Sequence, residues 1–253
     1  MILNRYISFF QKLTLSVFFI SLLLASISTA GLTGEYQLKP RAVVELFTSQ
    51  GCASCPLADK ILAKLAQDEN FIALSYHVDY WDYNGWKDSF ATTANSKLQI
   101  AYSKTQAIPR IYTPQMIING TKDVIGSHSE KVKQVLNNSS LPMTINMQSD
   151  AHYLTITIDG NDEYQESTLW LVTFISKQQV KIKRGENRGK TLTYTNIVTQ
   201  RRAIGMWHPD TGAKIKLPID EILNSNNDGL AILVQNNFNG LPSSIIAGAA
   251  YIH

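Results

Sequence analysis

The sequence predicts an α/β domain over residues 31–138, followed by an all-β, sandwich-like domain over residues 139–253. Up to residue 138, β-rich apolar runs alternate with stretches of helical periodicity, which is typical of a compact α/β domain. Beyond Leu141-Pro142 the pattern changes to about seven short strands separated by turn residues, as in an antiparallel sandwich. The polar run Asn137-Asn138-Ser139-Ser140 lies between the two patterns and marks the boundary.

The first 30 residues have the pattern of a secretory signal peptide. Arg5 and Lys12 precede a mostly apolar run over residues 13–27, which ends in the small residues Ser28-Thr29-Ala30. That run is shorter than the ~20 apolar residues that a membrane-spanning helix needs. We therefore expect cleavage after Ala30, a periplasmic or secreted protein, and no membrane attachment once residues 1–30 are removed.

Composition excludes some classes of function. The chain is 44% hydrophobic and 17% charged, and its formal charge is +3, of which Arg5 and Lys12 contribute two. The mature chain thus has nearly equal numbers of basic and acidic residues. This balance argues against a protein that binds nucleic acid or a membrane surface electrostatically. The chain has two cysteines, and an exported compartment favours their oxidation.

The first domain is expected to contain three strands and three helices. The helix after the first strand presents one apolar face, made by Ala58, Ile61, Leu62, Leu65 and Ala66. A Pro-led strand follows Thr113-Pro114, and Asn119-Gly120 is a turn signal. In chain order, we predict a strand over 43–47, a helix over 53–67, a strand over 71–78, a helix over 90–105, a strand over 115–118 and a helix over 129–137.

The second domain is expected to be built of short strands. The strand at 153–159 alternates polar and apolar residues, which is typical of a half-buried strand. Residues 184–190 contain two glycines and three basic residues but lack the spacing of a phosphate-binding loop, so they predict a hairpin turn. The predicted strands cover 143–148, 153–159, 168–175, 180–183, 191–200, 230–235 and 244–251.

Cys52 and Cys55 lie where the first strand turns into the first helix. Unpaired N–H groups and the helix dipole at a helix start favour a thiolate, which is the reactive form of cysteine. A second thiol two residues further on can resolve a mixed disulfide. We therefore expect solvent-reachable sulfurs, with Cys52 attacking and Cys55 resolving. The alternative is a structural disulfide, although closing so small a loop stabilises a fold only weakly.

These motifs resemble a secreted bacterial thioredoxin-like family that is catalogued only as a domain of unknown function. The resemblance is carried by residues 45–56 (ELFTSQGCASCP), 77–82 (HVDYWD), 85–86 (GW), 112–115 (YTPQ), 184–187 (RGEN), Gly189 and 191–194 (TLTY). It implies a thioredoxin-like fold with a Cys-x-x-Cys site. By the same resemblance, Thr113-Pro114 matches a cis proline that faces the dithiol, and Glu45 lies near the position of a buried acid.

Other polar and aromatic residues suggest supporting roles. Trp81, Trp86 and Tyr112 are candidates to line a substrate groove beside the dithiol, or else to pack under a long loop. A histidine and two carboxylates lie close together in the sequence at His77, Asp79 and Asp82. We interpret them as an interior histidine and turn-capping carboxylates and not as a metal site. During exchange the thiol of Cys55 must lose a proton. We expect a carboxylate or imidazole near Cys55, or Glu45, to accept it.

Taken together, the sequence predicts an exported thiol–disulfide oxidoreductase with Cys52, Cys55, Thr113, Pro114 and Glu45 as catalytic candidates. Its expected partners are client protein thiols or disulfides and a redox partner protein, with no cofactor and no metal. The alternative is a non-catalytic secreted binding or scaffold protein with a structural disulfide. A third reading, metal handling by the two thiols with His77, is weaker because two thiols need further ligands.

Overall fold

The structure is a computed structural model that describes residues 34–36, 40–150, 152–224 and 226–252. The predicted signal peptide, residues 1–30, lies outside the described residues. Within the described ranges, no helix has the length and apolar character needed to cross a membrane.

The described chain is a mixed α/β structure. Four α-helices are present in it: α1 (Cys55–Leu65), α2 (Thr93–Thr105), α3 (Ser129–Asn137) and the short α4 (Ile219–Ile222), with a 3₁₀ turn at Asp82–Asn84. The strands of the first half are β1 (Gly34–Tyr36), β2 (Ala42–Thr48), β3 (Phe71–His77), β4 (Gln115–Ile118) and β5 (Lys122–Ile125). Those of the second half are β6 (Asn146–Ser149), β7 (Tyr153–Ile158), β8 (Ser167–Lys181), β9 (Thr191–Trp207), β10 (Ala213–Pro218), β11 (Gly229–Phe238) and β12 (Leu241–Ile252).

A large mixed sheet contains strands from both halves of the described chain. Its order is β12-β11-β8-β9-β3-β2-β4-β5. Strand β2 pairs with β3 in parallel and with β4 antiparallel, and β3 meets β9 in parallel at Ser75–Ile197. Asn196 strengthens this junction, because its side-chain amide donates to the carbonyl oxygen of Ala73 at 2.8 Å. The sheet thus continues across residue 138, and the division into two domains at that residue stays a prediction.

A second, smaller sheet has the order β1-β6-β7-β10 among the described residues. All its pairs are antiparallel. Its inner face packs on β8, β9 and β11 of the large sheet through a core that includes Ile156, Leu171, Trp207 and Ile232. The two sheets bury the alternating apolar residues that the sequence places along these strands.

The large sheet has a separate core on each side of β2, because successive residues of a strand face opposite ways. Leu46 faces α1 and α3, together with Leu62 and Val132. Phe47 faces α2 together with Tyr102, and this core also receives Phe174 of β8. The strand is buried at every position, as expected for a central strand covered on both faces.

Most predicted elements are present, with differences where pairing extends a strand. β4 and α3 have the predicted bounds, whereas the predicted strands at 168–175 and 180–183 are one strand, β8. Strands β1, β5 and β10 were not predicted from the sequence. β5 contains exposed polar residues and lies at the sheet edge, so its pattern lacks an apolar face.

Candidate functional site

Cys52 and Cys55 form a disulfide where β2 passes into α1. The S–S distance is 2.22 Å and the two Cα atoms lie 5.4 Å apart. β2 ends at Thr48 and α1 begins at Cys55, with Pro56 in the first helical turn, where its missing N–H breaks no helical bond. A Cys-x-x-Cys disulfide at a helix start is consistent with a redox-type site.

The sulfur pair is buried, contrary to the expectation of a solvent-reachable site. Cys52 is 1% exposed and Cys55 is 0% exposed, whereas Ala53 and Ser54 between them are exposed. The disulfide therefore lies directly beneath a surface turn. Ser54 contributes a polar contact, with its Oγ 3.5 Å from the sulfur of Cys52.

The turn between β8 and β9 is hydrogen-bonded to the turn that carries Cys52. We call residues 182–190 the hairpin tip. The side-chain amide of Asn187 donates to the carbonyl oxygens of Gln50 and Cys52, at 3.0 and 2.9 Å. The carboxylate of Glu186 accepts from the N–H of Ala53 at 3.2 Å. The predicted hairpin turn is thus present, and it reaches the cysteines from more than 130 residues away.

A second loop, residues 79–90, holds the other side of the Cys52 turn. The carboxylate of Asp88 accepts from the N–H of Gln50 at 2.8 Å. The indole N–H of Trp86 donates to the side-chain oxygen of Gln50, also at 2.8 Å. Trp86, expected in a substrate groove, therefore supports the turn that leads to Cys52.

The Thr113–Pro114 peptide bond is cis, the isomer that the resemblance implies. β2 and β4 pair with Phe47 opposite Gln115, so Pro114 lies beside the end of β2 that leads to the cysteines. Trp81 links the two segments. Its indole N–H donates to the hydroxyl of Thr113 at 2.7 Å, and a Cβ at Gly51 would lie 3.3 Å from the Cβ of Trp81.

An open groove begins at the Thr113 segment. Trp81 and Tyr112, two of the expected groove residues, line it together with Thr113. Tyr112 is fixed there, because its hydroxyl donates to Asp123 at 2.7 Å. The other lining residues are Tyr80, Ile108, Pro109, Arg110, Ile111, Asp123, Val124, Ile125, His128 and Lys131.

Glu45 lies on the face of β2 opposite to α1, because it is one residue out of phase with Leu46. Its carboxylate accepts from the hydroxyl of Tyr102 at 2.5 Å, and Gln235 donates to the same hydroxyl at 2.8 Å. Burial raises the pKa of Glu45, while the positive charge of Arg201 lowers it in part. The structure thus brings Glu45 to the core beneath α2 and not to the helix that carries Cys55.

The acid on the same helix as Cys55 is Asp59, which was not among the site residues predicted from the sequence. Positions i and i+4 share one face of a helix, and Cys55 and Asp59 are both buried residues of α1. The hydroxyl of Thr48 donates to Asp59 at 2.9 Å. Burial raises the pKa of Asp59 to about 7, against the opposing effects of His77 and the Thr48 hydrogen bond. Asp59 could have been identified from the sequence, because it is an acid on the apolar face of the helix, one turn after Cys55.

His77 and the aspartates of the 79–90 region make separate contacts. The Nδ1 atom of His77 lies 2.7 Å from the carboxylate of Asp88, and both side chains are fully buried. Asp79 accepts from Ser96 and Thr93 at the start of α2, and these hydrogen bonds lower its pKa. In the part of the chain that the structure describes, no group of three or more His, Cys, Asp or Glu side chains is placed to hold a metal ion.

Comparison with known families gives one match over most of the chain. The sequence profile of a family described as "Protein of unknown function (DUF1223)" matches residues 43–235. This range includes the Cys52 turn, the Thr113 segment and the hairpin tip. No protein with a curated description matches the chain.

Two solved structures are similar in architecture. A structural-genomics target protein from Agrobacterium tumefaciens has 31% sequence identity and a TM-score of 0.76, over 86% of this chain and 96% of its own. HBP35 of Porphyromonas gingivalis has 16% identity and a TM-score of 0.55, over 85% of this chain and 76% of its own. At 16% identity, the second likeness concerns the fold alone.

Proposed function

The chain belongs to the DUF1223 family, and we propose that it is an exported thiol–disulfide oxidoreductase with a thioredoxin-like fold. The observation that carries the proposal is the Cys52–Cys55 disulfide at the start of α1. The cis Thr113–Pro114 bond beside the end of β2 supports it. Export rests on the sequence pattern of residues 1–30.

The reduced protein would exchange two electrons with a client disulfide. The thiolate of Cys52 attacks one client sulfur, the client S–S bond breaks, and the second client sulfur leaves as a thiolate and takes a proton. Cys55 then loses its proton and attacks the sulfur of Cys52, which releases the other client sulfur. The products are a client dithiol and the Cys52–Cys55 disulfide, and the reverse sequence oxidises the client.

Asp59 is the proposed acceptor for the proton of Cys55. It lies one helical turn after Cys55, and a carboxyl group with a pKa of about 7 exchanges protons near neutral pH. The groove lined by Trp81, Tyr112 and Thr113 is the proposed site for an extended client segment. Its apolar walls and the basic residues Arg110 and Lys131 suit an apolar segment with an acidic residue.

The proposal predicts reversible reduction of the native disulfide. We expect full conversion between disulfide and dithiol in glutathione or dithiothreitol buffers, followed by alkylation and mass spectrometry, without loss of the folded circular-dichroism spectrum. Cys55→Ala should accumulate mixed disulfides on Cys52, whereas Cys52→Ala should accumulate far fewer. A disulfide that opens only when the protein unfolds would contradict the proposal.

Burial of both cysteines favours a second candidate function. A non-catalytic secreted binding or scaffold protein would keep Cys52–Cys55 as a structural link, for which access is unnecessary. In that case neither Cys55→Ala nor Cys52→Ala should trap any partner. The same trapping experiment therefore separates the two functions.

A further inference from the structure

A disulfide that exchanges with other proteins must be reached along its S–S axis, yet this one is buried. Cys52 is 1% exposed. Glu186 and Asn187 of the hairpin tip are hydrogen-bonded to the turn that carries Cys52. Asn187 is 0% exposed and both of its amide contacts end on backbone oxygens, those of Gln50 and Cys52.

We infer that Asn187 is a positioning residue that holds the hairpin tip closed over the disulfide, and that exchange with a protein partner requires the tip to open. This inference rests on the proposed function. Asn187 is also held on its own hairpin, since Lys190 donates to its side-chain oxygen at 2.9 Å. Asn187 thus links the tip to the Cys52 turn through two hydrogen bonds, and a third holds its side chain on the tip.

The hairpin tip lies outside the pairing that joins β9 to the rest of the large sheet. β8 and β9 pair with each other as far as Lys181–Thr191, whereas β9 meets β3 at Ser75–Ile197. Between these points, Tyr194 packs against the ring of His77, with centroids 4.7 Å apart. Beyond Tyr194 toward the tip, Glu186 and Asn187 make hydrogen bonds with the Cys52 turn.

The outer surface of the tip is free to meet a partner. Lys183, Arg184 and Arg188 are exposed. A partner that binds these basic side chains would compete with the closed position, and hydrogen bonds to backbone oxygens are readily replaced by water once the tip lifts. Opening is then a local event with a free energy below that of global unfolding.

The experiment measures reduction of the native disulfide by reductants of two sizes. In each case a reductant thiolate attacks the sulfur of Cys52, the Cys52–Cys55 bond breaks, and Cys55 leaves as a thiolate and takes a proton. The second reductant thiol then loses its proton and attacks the first reductant sulfur, the mixed disulfide breaks, and Cys52 leaves as a thiolate and takes a proton. Dithiothreitol is the small reductant and a reduced bacterial thioredoxin is the protein reductant, with rates followed by alkylation quench and mass spectrometry.

Asn187→Asp keeps the size of the side chain but removes the N–H donors and sets a carboxylate against two carbonyl oxygens. We expect it to raise the ratio of the protein rate to the dithiothreitol rate by roughly 10-fold or more, because two hydrogen bonds to the Cys52 turn are lost. Glu186→Ala removes one exposed contact and should raise the ratio less, by roughly 2-fold to 3-fold. Lys177→Ala, an exposed residue of β8 outside the hairpin tip, should leave the ratio unchanged.

The outcomes separate the inference from the function. In one outcome the disulfide is reduced readily, with the same ratio of rates in the native chain, Asn187→Asp and Glu186→Ala. That result would contradict the inference that the tip closes over the disulfide, and it would leave the proposed oxidoreductase function unaffected. Resistance to both reductants in every folded variant overturns both. If Asn187→Asp loses the folded circular-dichroism spectrum, Glu186→Ala decides, since an exposed side chain is removed there at little structural cost.

Discussion

At the scale of single residues, Asp59 is a buried acid whose ionisation depends strongly on the fold. Burial raises its pKa from 3.8 to about 7, so the folded state binds a proton that the unfolded chain has released over that pH range. The sign follows directly. The free energy of unfolding falls as pH rises between about 4 and 7, by up to about 1.4 kcal/mol per pH unit from this group.

Asp59→Asn should remove this part of the pH dependence. We expect the variant to lose less stability than the native chain between pH 4 and pH 7, as measured by urea unfolding at several pH values. Asp162→Asn, an exposed aspartate, is the matched control and should keep the native slope. Equal slopes in Asp59→Asn and the native chain would contradict a raised pKa at Asp59.

The same variant tests the proposed chemistry. Without a proton acceptor near Cys55, the second exchange step should slow at neutral pH, and mixed disulfides on Cys52 should live longer. The measurement is the decay of a mixed disulfide with a small aromatic thiol, followed by absorbance. Decay at the native rate would exclude Asp59 as the acceptor.

At the scale of elements, the turn between β4 and β5 attaches the first half of the chain to its last strand. The carbonyl oxygen of Asn119 accepts from the N–H of Ile245 on β12, and the side-chain oxygen of Asn119 accepts from the N–H of Val43 on β2. Gly120 has a φ of 71°, and a Cβ there would lie 2.1 Å from the carbonyl oxygen of Ser243. The turn therefore tolerates no side chain at this position.

Gly120→Ala should destabilise the protein by at least ~3 kcal/mol, above the usual range for a single substitution. Gly240→Ala is the matched control, since Gly240 has a φ of 75° but no atom within 4 Å of its virtual Cβ. The control should cost about 1 kcal/mol, from the left-handed backbone alone. Similar unfolding midpoints in urea for both variants would show that the close approach to Ser243 has no energetic weight.

At the scale of the whole molecule, the two halves share a core. Phe47 and Tyr76 of the first half pack in one cluster with Phe174 and Leu233 of the second. A fragment of residues 31–138 would expose this face, so we expect it to lack a cooperative unfolding transition and to bind a hydrophobic dye. Residues 31–253 are the control. A fragment that unfolds cooperatively would instead support the predicted domain boundary at residue 138.

The features that could be predicted from the sequence depend on local interactions, and those that could not depend on long-range interactions. Periodicity and turn residues are local, so β4, α3 and the cysteine turn before α1 could be predicted from neighbouring residues. The pairing of β9 with β3 and the contact of Asn187 with Cys52 join residues more than 120 positions apart, and no local pattern encodes them. Burial of the disulfide was not predicted either, and the turn that carries it is held in part by Asn187, from the other half of the chain.

The hairpin tip also fixes an order of events during biosynthesis. Cys52 and Cys55 stand three positions apart and are made 135 residues before Asn187. The redox environment that the nascent segment meets can therefore set the sulfur pair as disulfide or dithiol before the tip exists. Once the tip docks, we expect that state to change only as fast as the tip opens.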